Sequence, residues 1–168
     1  MGSKPLITLR KTTEKDAPYL QEWLLQKGVL DGFPMINQRE VEDAVRIWLL
    51  YIKKGYSITA LYKKKPCGAA NLYINDIEKM KHQCLFVIIV DEKMRGQGIG
   101  TLLLNEITRM ARDQYQIEVL HLEVYENNPA FRLYERMGFK QFGRHPKYLK
   151  DDKGVYYDKI VMEKRLYS

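Results

Sequence analysis

Three glycines fall within five residues in the run Arg95-Gly96-Gln97-Gly98-Ile99-Gly100-Thr101. Just before it lies the unbroken apolar stretch Cys84-Leu85-Phe86-Val87-Ile88-Ile89-Val90, and just after it a helical pattern with Leu103, Leu104, Ile107 and Ala111 on one face. Glycines at such a junction remove side chains, so backbone N–H groups can converge on an anion, and a helix start adds unpaired donors and a positive dipole end. A pyrophosphate is the natural ligand. Two other glycine-rich loops fail: no lysine follows Gly100 as a G-x-x-x-x-G-K-[ST] loop requires, and Thr101 stands where a G-x-G-x-x-G fingerprint needs its last glycine.

The flanking elements set the loop in a βαβ unit. Residues 84–90 are apolar at every position, as in a strand covered on both faces. The helix is expected over about residues 98–114 and the next strand over 118–125, parallel to the first. Upstream, residues 6–10 alternate as a half-buried strand. A helix is expected from the Thr13-Glu14-Lys15-Asp16 start, with Leu20, Trp23 and Leu24 inward and Gly28 as its end. A second runs from Asn37 to Gly55 on the stripe Val41, Ala44, Val45, Trp48, Leu49, Ile52. Strands at 56–62 and 67–74 then form a meander with 83–90, the first two joined by a turn at Lys63-Lys64-Lys65-Pro66. Downstream, Asn128-Pro129 opens a helix that Gly138 closes, and strands near 139–144 and 155–163 flank a polar 150–154 turn. The class expected is α/β with a mixed sheet, in the order β-α-α-β-β-β-α-β-α-β-β, as a single domain over residues 1–168.

Bulk properties narrow the function. The 168 residues are 45% hydrophobic and 29% charged, with a net charge of +7 that suits a polyanionic partner. No apolar run is long enough to span a bilayer, the start Met1-Gly2-Ser3-Lys4-Pro5 has no apolar signal region, and Leu6 stands where a myristoylation motif wants Ser or Thr. Cys67 and Cys84 lie in apolar runs without a C-x-x-C pairing, as free thiols in a reducing, cytoplasmic setting. His82, His121 and His145 are scattered, so no metal site is expected. No recognisable nucleic-acid-binding motif accompanies the charge.

The loop Arg95-Gly96-Gln97-Gly98-Ile99-Gly100 resembles the R/Q-x-x-G-x-G/A motif of the GNAT superfamily of acyl-CoA N-acyltransferases. A second block, Asn127-x-x-Ala130-x-x-Leu133-Tyr134-x-x-x-Gly138-Phe139, is similar to that family's N-x-x-A-x-x-L-Y-x-x-x-G-F. The resemblance covers nearly the whole chain, and in layout it looks closest to the branch with ribosomal-protein N-terminal and polyamine acetyltransferases. It implies an acetyl-CoA-dependent N-acetyltransferase with acetyl-CoA as co-substrate and a primary amine of a protein N-terminus, peptide or small molecule as acceptor. Polyamines fit less well, because no acidic cluster stands out in a +7 chain.

The resemblance also implies roles. Backbone groups of Ile88 and Val90 would pair with the pantetheine arm. The amides of Arg95, Gly96, Gln97, Gly98, Ile99 and Gly100, with Thr101, would hold the pyrophosphate. Asn127 would contact the thiol end, a role that its spacing from Val124 leaves open to Asn128, the better helix cap. Tyr134 would stand beside the sulfur. The strand at 84–90 carries no carboxylate to deprotonate the amine, which leaves Glu123, His82 or a water chain. Acceptor choice is expected in variable loops such as residues 29–36 and 144–154; a homodimer is compatible with this reading. Two rivals remain: a non-catalytic CoA-binding regulatory module of the same fold, and a nucleic-acid binder suggested by charge.

Overall fold

In a computed structural model that describes residues 3 and 6–167, seven strands form one mixed sheet in the order β1-β2-β3-β4-β5-β7-β6. The strands are β1 (Ile7–Lys11), β2 (Ser57–Tyr62), β3 (Lys65–Ile74), β4 (Gln83–Val90), β5 (Val119–Tyr125), β6 (Lys140–Lys150) and β7 (Tyr156–Arg165). Only β4 and β5 run parallel; the other neighbours are antiparallel. The helices are α1 (Ala17–Leu25), α2 (Lys27–Leu30), α3 (Gln38–Lys53), α4 (Ile99–Arg109) and α5 (Ala130–Arg136). Met1, Gly2, Lys4 and Pro5, on which the reading of the amino terminus turned, lie outside the described residues.

Two cores sandwich the sheet. Trp23, Leu24, Val41 and Trp48 of α1 and α3 pack on Ala69 and Ile89, while Leu103, Leu104 and Ile107 of α4 pack on Ala70, Phe86 and Leu122. Neighbouring residues of β3 and β4 thus serve opposite cores, because successive side chains of a strand point to opposite faces. This is why residues 84–90 of β4 are apolar throughout.

Several expectations need correction. The first helix does not run to Gly28: it ends at Leu25, Gln26 adopts an extended ψ of 132°, and the separate turn α2 contains Gly28. The Lys-rich turn is only Lys63-Lys64, both at positive φ (48° and 64°), the two-residue geometry whose twist suits a hairpin; Lys65 and Pro66 already belong to β3. The fourth helix ends at Arg109 and passes into a π turn, Met110–Gln114. Residues 144–150 are strand, not loop: β6 reaches Lys150 by pairing with β7 around an irregularity between His145 and Leu149.

A buried polar knot fixes β1 to the entry of α1. Asp16, 3% exposed, accepts both arms of the Arg10 guanidinium (2.7 and 2.9 Å), the Thr13 N–H (2.9 Å) and the Thr59 hydroxyl (3.1 Å). Burial alone would raise this carboxyl, but Arg10, Thr13 and Thr59 together hold it below its ordinary value. A lowered folded-state pKa contributes stability that is present above the unfolded value, about 3.9, and is lost as pH falls through the folded one. Asp16→Asn is therefore expected to cost about 2–3 kcal/mol at pH 7, in the range of hydrogen bonds to charged groups. Urea unfolding should show the difference from wild type shrinking below pH 4. A deficit equally large at pH 3 would mean that shape, not charge, is what Asp16 supplies.

Candidate active site

The site is a gap in the sheet. Strands β4 and β5 pair at Gln83↔Val119, Cys84↔Leu120 and Leu85↔His121, and nowhere beyond. From there they diverge towards Val90 and Tyr125. The direction of their free backbone groups follows from ladder parity. Asp91 donates to the carbonyl of Cys67, so residues 89, 87 and 85, in step with 91, bond to β3. Ile88 and Val90 then turn their N–H and C=O groups into the gap, whereas the Phe86 N–H belongs to the last parallel rung, Leu85↔His121. On the other bank Glu126 donates to Asp158 and Leu166 to Glu118, so even residues of β5 bond to β7, leaving Glu123 and Tyr125 with backbone groups facing the gap. Unpaired main-chain groups on both banks are the requirement for an extended ligand to enter as an added strand.

The glycine loop stands at the mouth of this gap. Gly96 and Gly98 have φ of 77° and 79°, a region that side-chain-bearing residues adopt only with strain, and Gly98 is the N-cap of α4. A Cβ built on either glycine meets no atom within 4 Å, so it would project into open space in front of the loop. Among the described residues, the N–H groups of Gly98, Ile99, Gly100 and Thr101 have no acceptor in the protein; the helix ladder begins with Leu102 donating to Gly98. Free amides around an open hollow at a helix start suit a pyrophosphate. Arg95 presents only its backbone here, since its guanidinium donates to the carbonyl of Gly28 at 2.8 Å.

Helix α5 closes the α4 side of the gap. Asn127 turns the chain at φ 68°, and Asn128 Oδ1 accepts the Ala130 N–H at 2.9 Å, so the Asn128 oxygen is engaged at the start of α5. Asn127 is exposed, with no side-chain partner among the described residues. Leu133 packs beside Gly100, whose added Cβ would lie 3.6 Å from Cδ2. The next residue, Tyr134, is half-buried, with its ring edge-on to Phe86 and Phe139, centroids 6.0 Å away in each case. Its hydroxyl has no partner among the described residues, and burial pushes the phenol up to about 12.

Glu123 points to the opposite face, because its neighbours Leu122 and Val124 belong to the α4-side core. Its carboxylate lies 3.3 Å from Lys159 Nζ, which itself sits 3.9 Å from the centre of the Tyr148 ring. Tyr125 stacks on Tyr148 at 6.3 Å and 14°. Sequence reasoning did not single out Tyr125 and Tyr148: the first read as a strand end and the second fell in a supposed loop. His82 is not brought to this place. It lies at the start of β4, where its carbonyl accepts from Glu118 and Val119, six residues and roughly 20 Å of strand before Ile88.

The sequence profile of the acetyltransferase (GNAT) family matches residues 19–139. The chain belongs to that family. An N-alpha-acetyltransferase of Sulfurisphaera tokodaii is 37% identical over 70 residues, which are 41% of this chain and 42% of that protein. The chain thus spans less than half the length of that curated relative. Solved structures share the fold over almost all of the chain. Ribosomal-protein-alanine N-acetyltransferase from Brucella melitensis superposes with a TM-score of 0.80 at 22% identity, covering 94% of this chain and 99% of that one. A phosphinothricin acetyltransferase from Sinorhizobium meliloti, solved in complex with AcCoA, gives 0.78 at 20% identity over 95% and 88%. Among the described residues no helix is long and apolar enough to cross a membrane, and no group of three His, Cys, Asp or Glu side chains could hold a metal ion.

Proposed function

We propose that this protein, as a single catalytic domain, transfers an acetyl group from acetyl-CoA to a primary amine. The observation that carries the reading is the gap between β4 and β5, open beyond Phe86, with free loop amides at its mouth. Ile88 and Val90 offer main-chain groups to the pantetheine arm, and residues 95–101 offer theirs to the pyrophosphate. With the Asn128 oxygen engaged by the Ala130 N–H, Asn127, exposed and without a side-chain partner among the described residues, is the asparagine that meets the thiol end. The co-substrate supplies an activated acetyl carbonyl; the protein supplies position and charge. A gap-facing N–H of β4 meets the negative charge that builds on the carbonyl oxygen, and the Tyr134 hydroxyl donates to the departing sulfur. The amine arrives from the face that carries Glu123, Tyr125 and Tyr148. The buried thiols of Cys67 and Cys84, raised to about 11 and about 12 by burial, stay protonated and suit a reducing cytoplasm.

Thiol release from acetyl-CoA with a panel of amines, including N-terminal peptides, amino acids and polyamines, tests the reading. At least one primary amine should give turnover. Tight acetyl-CoA binding without turnover on any amine would favour a non-catalytic CoA-binding module instead.

Glu123 is the carboxylate we assign to the amine proton. An alkyl amine with a pKa of about 10.4 arrives mostly charged at neutral pH, and Glu123 must exchange Lys159 for it. Glu123→Gln should lower kcat/KM about 10²-fold at pH 7 and progressively less towards pH 10, where free amine is already present. A pH-independent loss would show that the carboxylate binds the acceptor without taking its proton.

A further inference from the structure

The far ends of β4 and β5 are bridged by one short piece of chain, residues 26–32. On the β4 side Gln26 uses both ends of its amide. Nε2 donates to Asp91 Oδ1 at 2.8 Å, and Oε1 accepts the Glu92 N–H at 3.0 Å. Two residues on, the carbonyl of Gly28 receives the Arg95 guanidinium, and a Cβ on Gly28 would lie 3.2 Å from Glu92 Oε2. On the β5 side, a Cβ on Gly32 would lie 3.2 Å from Asn128 Nδ2. Between these points Val29 is buried in the core beneath α1 and α3.

The break between α1 and α2 belongs to this arrangement. Gln26 leaves the helical conformation at ψ 132°, which interrupts the helix ladder and brings its side chain to the turn at Asp91–Glu92. Three hydrogen bonds then join segment 26–28 to residues 91–95, the five residues that lead into the loop amides. A movement of that loop must carry segment 26–32 with it or break those bonds.

We propose that Gln26 and Arg95 are positioning residues that fasten segment 26–32 to the pyrophosphate loop, so that filling the loop sets the wall which the acceptor amine meets. The inference rests on the acetyl-CoA reading given above. It accounts for Arg95 directing its guanidinium to a carbonyl of α2, and it makes acceptor affinity depend on residues that touch neither the acetyl group nor the amine.

Hydrogen exchange with CoA as the probe, together with steady-state kinetics, tests it. Saturating CoA should slow exchange in wild type at residues 96–102 and also at 27–32. Gln26→Glu, which sets a carboxylate against Asp91, should keep the loop protection and lose that of 27–32. The acceptor KM should rise at least about 10-fold while the Kd for CoA changes less than about 2-fold. Gln26→Ala, which removes the amide without adding charge and leaves Asp91 Oδ1 its bond from the Lys93 N–H, should give the same two changes, should the acidic variant not fold. Protection confined to the loop in wild type would overturn the proposal, as would equal rises in CoA Kd and acceptor KM in the variant. If CoA fails to bind wild type at all, the acetyl-CoA reading itself falls, a result distinct from a clamp that fails while CoA binds.

Discussion

Gly98→Val should abolish the thermal stabilisation that acetyl-CoA gives the wild-type protein. A ligand selective for the folded state adds RT ln(1 + [L]/Kd), about 2.7 kcal/mol at a hundred times Kd, or roughly 5–11 °C in Tm for a chain of this size. Two effects of the substitution act together. Gly98 sits at φ 79°, where a β-branched residue is strained, so the turn into α4 would relax and the four free amides would lose their common aim. The new side chain would also project into the open space in front of the loop, where nothing in the protein lies within 4 Å. That space is the reason to expect a folded but non-binding variant, since no packed neighbour is displaced. Circular dichroism verifies folding, and Tm with and without acetyl-CoA reads binding. A folded Gly98→Val protein with a wild-type shift would remove the pyrophosphate from this loop.

Tyr134→Phe is expected to lower kcat about 10- to 10³-fold, of order 1.4–4 kcal/mol, with acetyl-CoA affinity nearly unchanged. The ring is held by Phe86 and Phe139, and phenylalanine keeps those contacts, so the variant deletes one hydroxyl and little else. With its phenol raised to about 12, Tyr134 remains protonated throughout the working pH range and is a weaker acid than a free tyrosine. Its help therefore comes as a hydrogen bond that strengthens while charge accumulates on sulfur, an interaction of the transition state more than of the ground state. Two results follow. The loss should fall on kcat and not on KM for acetyl-CoA, and the kcat profile should show no step below pH 10 that disappears in the variant. Wild-type kcat under conditions where chemistry limits the rate would leave Tyr134 as a packing residue between β4 and α5.

Sequence alone determined most of the elements and the place of the glycine loop, because both are written in local patterns. The apolar run of β4, the three glycines and the helical stripe of α4 each obey a short-range rule, and so does the Asn128-Pro129 helix start with Gly138 at its end. The parallel βαβ unit followed from those elements by connectivity. Where a local pattern was the wrong guide, a distant partner had intervened. Gln26 breaks a helix that its neighbours would continue, because Asp91 and Glu92, some 65 residues later, take both ends of its amide. Residues 144–150 are expected within a loop, yet β7 supplies a pairing edge that makes them strand. The gap is implied only by the family resemblance, which asks for free backbone groups at Ile88 and Val90: nothing in the residues of β4 or β5 themselves says that pairing stops after Leu85 and His121. Tertiary structure also decided which groups share the gap. It set Tyr134 and Glu123 on opposite faces, engaged the Asn128 oxygen with the Ala130 N–H, and left His82 at the other end of its strand. Side-chain identity is local, whereas which main-chain groups go unpaired depends on how strands far apart in sequence approach and diverge.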